Sequence, residues 1–155
     1  MRGEFRVQIR SKRLNYDFTL RRNITLVRGD SGTGKSTMIQ LLRLAEKESR
    51  VQYHCKAPFY LPEGRYWKDG ILRTENSIIF IDEDSRFLLT EEFASAIKGT
   101  SNYYVLITRA NLEMLPYSMD EVYEVFNSNK FNYLIPAFKK NKKTNDTRLY
   151  YNGGF

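Results

Sequence analysis

Eight consecutive residues, Gly29-Asp30-Ser31-Gly32-Thr33-Gly34-Lys35-Ser36, satisfy the spacing G-x-x-x-x-G-K-[ST]. The chemistry that needs this spacing is phosphate binding. Glycines permit backbone angles that aim successive N–H groups at one point, and a helix beginning there adds partial positive charge. Lys35 is then expected to reach the β- and γ-phosphates, and the Ser36 hydroxyl to help hold Mg²⁺. Thr37, directly after, is a further candidate for the α-phosphate side. A chance glycine-rich turn is the competing explanation. The apolar stretch before the loop and the amphipathic stretch after it argue against that.

A phosphate loop of this type works with a carboxylate at the tip of a neighbouring strand, which holds Mg²⁺ through water. The run Ile78-Ile79-Phe80-Ile81, closed by Asp82-Glu83-Asp84, supplies one. Asp82 is the expected metal-side acid. Glu83 stands where a hydrolase places a base to orient and activate the attacking water. Solvated acids at a strand end would look the same, and for Glu83 both readings stay open.

The elements that must position these groups are legible as periodicities. Phe5, Val7 and Ile9 alternate with polar residues, and Leu14, Tyr16, Phe18 and Leu20 repeat the pattern after Ser11-Lys12-Arg13. Together they predict an antiparallel hairpin. Asn23 to Arg28 is a short β-rich run feeding the loop, and Met38, Leu41, Leu42 and Ala45 recur at helical spacing up to about Ser49. Val51 to Cys55 reads as a short strand. Residues 56–77, rich in Pro, Gly and aromatics, give no clear pattern. Ser77 to Ile81 reads as a buried strand, Thr90 to Lys98 as a helix capped by Thr90 and stopped by Gly99, and Tyr103 to Ile107 as another buried strand. Val122 to Phe126 and Phe131 to Ile135 suggest a hairpin around Asn127 to Lys130. Strands alternating with helices predict an α/β domain with a mainly parallel central sheet and an antiparallel N-terminal hairpin. A single domain is expected over 1–138, with 139–155 a basic tail whose composition favours partial disorder.

The chain has 155 residues, enough for one real core, and an ordinary balance of 41% hydrophobic and 28% charged residues. No apolar run approaches the roughly 20 residues of a membrane helix, and the N-terminus lacks the pattern of a secretory signal. The one cysteine, Cys55, excludes an intramolecular disulfide and a cysteine metal cluster. A cytoplasmic protein with no membrane partner is the expectation. The net charge of +7 sits at the ends: residues 1–28 carry eight Lys/Arg against two acids and 127–155 carry six against one, while 29–126 carry eleven against fifteen. Basic ends attract nucleic acid or another polyanion, or simply keep the surface solvated. His54, the only histidine, reads as a partly buried strand residue. Trp67 with Arg65, Tyr66 and Lys68 reads either as a contact surface or as packing of a long segment over the sheet.

The order of these parts resembles the ATP-binding core of the ABC, SMC and RecF-type P-loop ATPases. An antiparallel hairpin precedes a strand, the loop with Lys35-Ser36-Thr37 (the Walker A motif), a helix, and four hydrophobics with Asp82-Glu83 (the Walker B motif). A helix and a strand ending in Thr108-Arg109 follow. Asp120 to Val125 is similar to the strand that comes next in that family, so the resemblance spans roughly residues 5–127. It implies ATP and Mg²⁺ as ligands, and Tyr16 as a stacking platform for adenine; a core or sheet-face tyrosine is the other reading of Tyr16. Three departures stand out. The helical subdomain with its Leu-Ser-Gly-Gly-Gln signature is missing, so the family's head-to-head dimer has no evident basis. No glutamine is placed as the Q-loop residue, since Gln52 falls within a strand. Arg109 occupies the position of the switch histidine; an arginine cannot relay a proton at neutral pH but can stabilise phosphate charge. Arg109 is thus either a cis arginine acting on the γ-phosphate or a surface arginine at a strand end.

Three functions compete at this point. The leading expectation is a slow Mg-dependent ATPase whose nucleotide state regulates a protein or nucleic-acid partner. A small P-loop kinase is the second, with residues 56–77, including Lys56, Arg65, Lys68 and Arg73, as acceptor site or lid. The third is a nucleotide-dependent binding module that hydrolyses little and uses the basic ends. The oligomeric state is left open.

Overall fold

The computed structural model describes residues 1–28, 35–141 and 146–151, with the side chains of 1–28 and 38–138. The alternating N-terminal residues form β1 (Phe5–Arg10) and β2 (Asn15–Leu20), paired antiparallel from Phe5 opposite Leu20 to Arg10 opposite Asn15. Their turn is closed by the Ser11 hydroxyl, which donates to the Leu14 carbonyl at 2.6 Å and accepts from its N–H at 3.0 Å. Val7, Ile9, Tyr16, Phe18 and Leu20 face the core. On the other face the Arg6 guanidinium grips the Asp17 carboxylate at 2.6 and 3.0 Å, which holds that carboxyl below its ordinary range.

The remaining elements follow, those at Phe59–Tyr60 and Trp67–Arg73 within the 56–77 segment that carried no clear pattern and the others in the predicted order. They are β3 (Ile24–Arg28), α1 (Lys35–Lys47), β4 (Gln52–His54), β5 (Phe59–Tyr60), α2 (Trp67–Arg73), β6 (Ile78–Asp82), α3 (Glu91–Ile97), β7 (Tyr103–Ile107), β8 (Val122–Ser128) and β9 (Phe131–Pro136). One mixed sheet of nine strands runs in the order β4-β1-β2-β9-β8-β3-β7-β6-β5. From β8 through β3, β7 and β6 to β5 every pairing is parallel, as is β2 with β9; β4 with β1, β1 with β2 and β8 with β9 are antiparallel. The α/β class and the N-terminal hairpin are as predicted. The segment from Lys139, expected as a tail, contributes strand residues to β10 (Phe138–Asn141) and β11 (Asp146–Tyr151), which pair antiparallel in a separate small sheet.

Strands β3, β6 and β7 are almost wholly buried, as central parallel strands covered on both faces must be. Alternate residues supply two cores. Val27, Ile78, Phe80, Tyr103, Val105 and Ile107 meet Met38, Ile39, Leu41 and Leu42 of α1, together with the inner residues of β1 and β2, so the sheet curls around α1. Leu26, Ile79, Ile81, Tyr104 and Leu106 meet Ile71 of α2 and Phe93, Ala94 and Ile97 of α3. As predicted, Thr90 caps α3, its hydroxyl accepting from the Phe93 N–H at 3.1 Å, and Gly99 ends it at φ +76°.

Phe93 anchors the second core. It is fully buried, with its ring edge-on to Tyr104 at 6.2 Å and tilted against Phe87 at 5.7 Å. Phe93→Ala should therefore cost about 3–5 kcal/mol of stability, read as a lowered urea midpoint at unchanged slope. Among the described residues no helix is long and apolar enough to cross a membrane.

Candidate functional site

Parallel pairing brings the carboxyl ends of three strands level. Val27 of β3 lies beside Ile107 of β7, which lies beside Asp82 of β6. Arg28, Thr108-Arg109 and Glu83 therefore emerge along one edge, the edge at which open α/β sheets bind ligands. The chain leaves β3 there and returns as α1 at Lys35. Gly29, Asp30, Ser31, Gly32, Thr33 and Gly34 lie outside the described residues, as do the side chains of Lys35, Ser36 and Thr37.

Asp82 ends β6 half-buried, and its carboxyl is pushed above the ordinary range. Burial is the main cause and the Asp84 charge adds to it; the Asp84 N–H, donating to Asp82 Oδ1 at 3.2 Å, and the Arg43 charge oppose it. A pKa above the unfolded value means that the ionised form is penalised in the folded chain. That penalty is present above the raised pKa and fades as pH falls through it. Asp82→Asn keeps an oxygen for the Asp84 N–H and removes the charge, so it should raise the melting temperature of the ligand-free protein at neutral pH. The same change should weaken any Mg²⁺-dependent ligand binding, which a thermal shift series with and without Mg²⁺ would read.

Glu83 and Arg109 are brought together, Arg109 Nε lying 4.0 Å from Glu83 Oε1. Both are solvent-accessible, with side chains 34% exposed for Glu83 and 58% for Arg109, so the pair contributes little to stability and both groups can meet a ligand. Thr108 before them is buried; its N–H donates to the Val27 carbonyl at 3.1 Å and its hydroxyl accepts from the Ala110 N–H at 3.0 Å. Arg28 Nη2 donates to Asn111 Oδ1 and ties the end of β3 to the same turn.

A cleft of about 550 Å³ opens beside Asp82, between residues 63–67 and 84–87. Arg43, Arg65 and Arg86 line it, with Trp67 stacked on Phe87 at 4.5 Å and 5° forming one wall. Arg43 Nε is held by Glu63 Oε1 at 3.1 Å. Arg43 was not singled out in the sequence, although its spacing of seven residues from Ser36, two turns of helix, is the signal that points to it. Of the Trp67 cluster, Trp67 itself packs against the second core, while Arg65, Tyr66 and Lys68 are exposed.

Other expectations are corrected. Tyr16 is fully buried in β2, next to Asn132, and burial raises its phenol to about 12; it has no free ring face for adenine. This is the sheet-face alternative. His54 is exposed rather than partly buried, because β4 is an edge strand and only its Tyr53 turns inward. Gln52 lies beside it, its Oε1 3.1 Å from His54 Nε2, on the edge strand opposite the β5 end of the sheet order.

Asp82 and Asp84 line the same cleft, and the burial that disfavours the Asp82 charge is a penalty a bound cation would relieve. Among the described residues no group of three or more His, Cys, Asp or Glu side chains could hold a metal alone. No protein-family model matches the chain, and no curated protein resembles it in sequence.

Proposed function

We propose that this chain is an ATP-binding P-loop protein that hydrolyses Mg-ATP slowly, its nucleotide state regulating contact with a partner. One observation carries the reading. The acid-tipped β6 and the Thr108-Arg109 end of β7 emerge at the edge where the G-x-x-x-x-G-K-S segment joins β3 to α1. Residues 29–34 would cradle the phosphates, Lys35 would neutralise the β- and γ-oxygens, and Ser36 and Asp82 would hold Mg²⁺. The cation, when bound, stabilises charge on the phosphates. Glu83 would orient the attacking water and take its proton, and Arg109 would turn from Glu83 to the γ-phosphate side.

A small kinase is the second reading, and the arginine-lined cleft beside Asp82 favours it as an acceptor site for an anionic small molecule. Phosphate release measured under ATP, with and without a panel of phosphate acceptors, separates the two. The ATPase reading expects slow, Mg-dependent release of inorganic phosphate that no acceptor stimulates. ADP formation driven by one acceptor, with phosphate appearing on it, would replace that reading with the kinase. Binding without turnover would leave the nucleotide-dependent binding module.

A further inference from the structure

Helices α2 and α3 pack on the β3, β7 and β6 part of their sheet face. The same face continues over β8, β9, β2 and β1, where no helix among the described residues packs on it. Register fixes what it presents. Phe126 lies opposite Tyr133 and Ser128 opposite Phe131; Phe131 then pairs with Asn15 and Tyr133 with Asp17, and these pair with Arg10 and Gln8. The result is an aromatic strip on β8 and β9 joined to a polar strip on β2 and β1. Phe126, Phe131 and Tyr133 are 51%, 44% and 40% exposed, unusual for large rings on a sheet surface. The Phe131 and Tyr133 rings stand 6.1 Å apart and within 16° of parallel.

The cations sit at one end of this strip. Arg10 closes β1, Lys12 and Arg13 occupy the first hairpin turn, and Lys130 occupies the β8–β9 turn; all are exposed. The Asn15 N–H donates to the Lys130 carbonyl at 2.7 Å and joins the two turns. Of the acids on this face, Asp17 is already gripped by Arg6, so the end near Phe131 is left positive. A depression of about 200 Å³ lies there, walled by Phe131, Gln8, Arg10, Asn15 and Asp17.

We propose that this face binds single-stranded nucleic acid. A base stacks on Phe131 with its edge toward Gln8 and Asn15, neighbouring bases stack on Tyr133 and Phe126, and the phosphates follow Arg10, Lys12, Arg13 and Lys130. Rings on an open sheet next to cations suit splayed bases, which every nucleotide can offer, and exclude the paired bases of a duplex. The charge complementarity selects a polyanion over a neutral apolar partner.

The test is fluorescence anisotropy with a labelled oligothymidylate, an oligouridylate and a duplex of matched length, at low salt and without nucleoside triphosphate. Omitting the triphosphate keeps the outcome independent of the ATP-site reading. The full chain should bind single strands in a salt-sensitive manner and prefer them to duplex. Phe131→Ala with Tyr133→Ala should weaken binding at least about tenfold, and Tyr133→Phe should leave it near wild type. Arg10→Ala with Lys12→Ala should weaken binding and flatten its salt dependence. These positions are exposed, so unchanged circular dichroism is expected for all variants. The proposal is overturned by absent single-strand binding, by binding that the aromatic variants do not alter, or by equal affinity for duplex. Self-association of the free chain that the aromatic pair abolishes would overturn it too, in favour of a second copy on this face.

Discussion

Glu83→Gln should bind Mg-ATP as the wild-type chain does and release phosphate about 10²–10⁴-fold more slowly, the usual contribution of a positioned general base. Glutamine keeps the shape and one acceptor oxygen but cannot take a proton from water. The fold should be unaffected, because Glu83 is solvent-accessible and its 4.0 Å contact with Arg109 is exposed and weak. Equilibrium binding and single-turnover phosphate release, measured on the same preparation, check both halves. Turnover equal to wild type would make Glu83 a solvated acid at the end of β6 and would remove it from the catalytic machinery.

Lys35→Ala should lose ATP binding, by roughly 100-fold or more, if the residue makes the charge-assisted hydrogen bonds to phosphate that its place in the loop implies. Lys35 opens α1, where alanine is a better helix former than lysine, so the helix and its buried Met38, Ile39 and Leu42 should stay in place. A melting temperature close to wild type together with absent nucleotide protection is the expected signature. Wild-type affinity in this variant would remove the loop from the site.

The sequence made the central strands legible because a parallel strand covered on both faces admits few polar residues, and β3, β6 and β7 read that way. The hairpin was equally visible in the alternation of Phe5, Val7 and Ile9. Neighbour relations were not. Periodicity tells which residues face inward, not which strand lies alongside, so nothing predicted that β9 would run parallel to β2 and enclose Tyr16. Once β2 is an interior strand, the tyrosine proposed as a base platform has both sides packed. The 56–77 segment was opaque because α2 is only seven residues long and carries Gly70 in its interior. A Cβ there would run into the Tyr60 hydroxyl of β5, so any larger residue would require that ring to shift. At the site, Asp82, Glu83 and Arg109 were named from motif order alone, and parallel register brings them to one edge. Arg43 was within reach of the helical spacing from Ser36, whereas the Trp67-Phe87 wall joins segments distant in sequence and needed the fold.

The central claim is that the loop of Gly29 to Ser36 holds ATP. Isothermal titration of the wild-type chain with ATP, in Mg²⁺ and again after chelation, tests it most directly, with Lys35→Ala titrated alongside. The account predicts saturable, single-site binding that depends on Mg²⁺ and disappears in Lys35→Ala. Absence of ATP binding by the folded wild-type chain, or equal binding by Lys35→Ala, would contradict it.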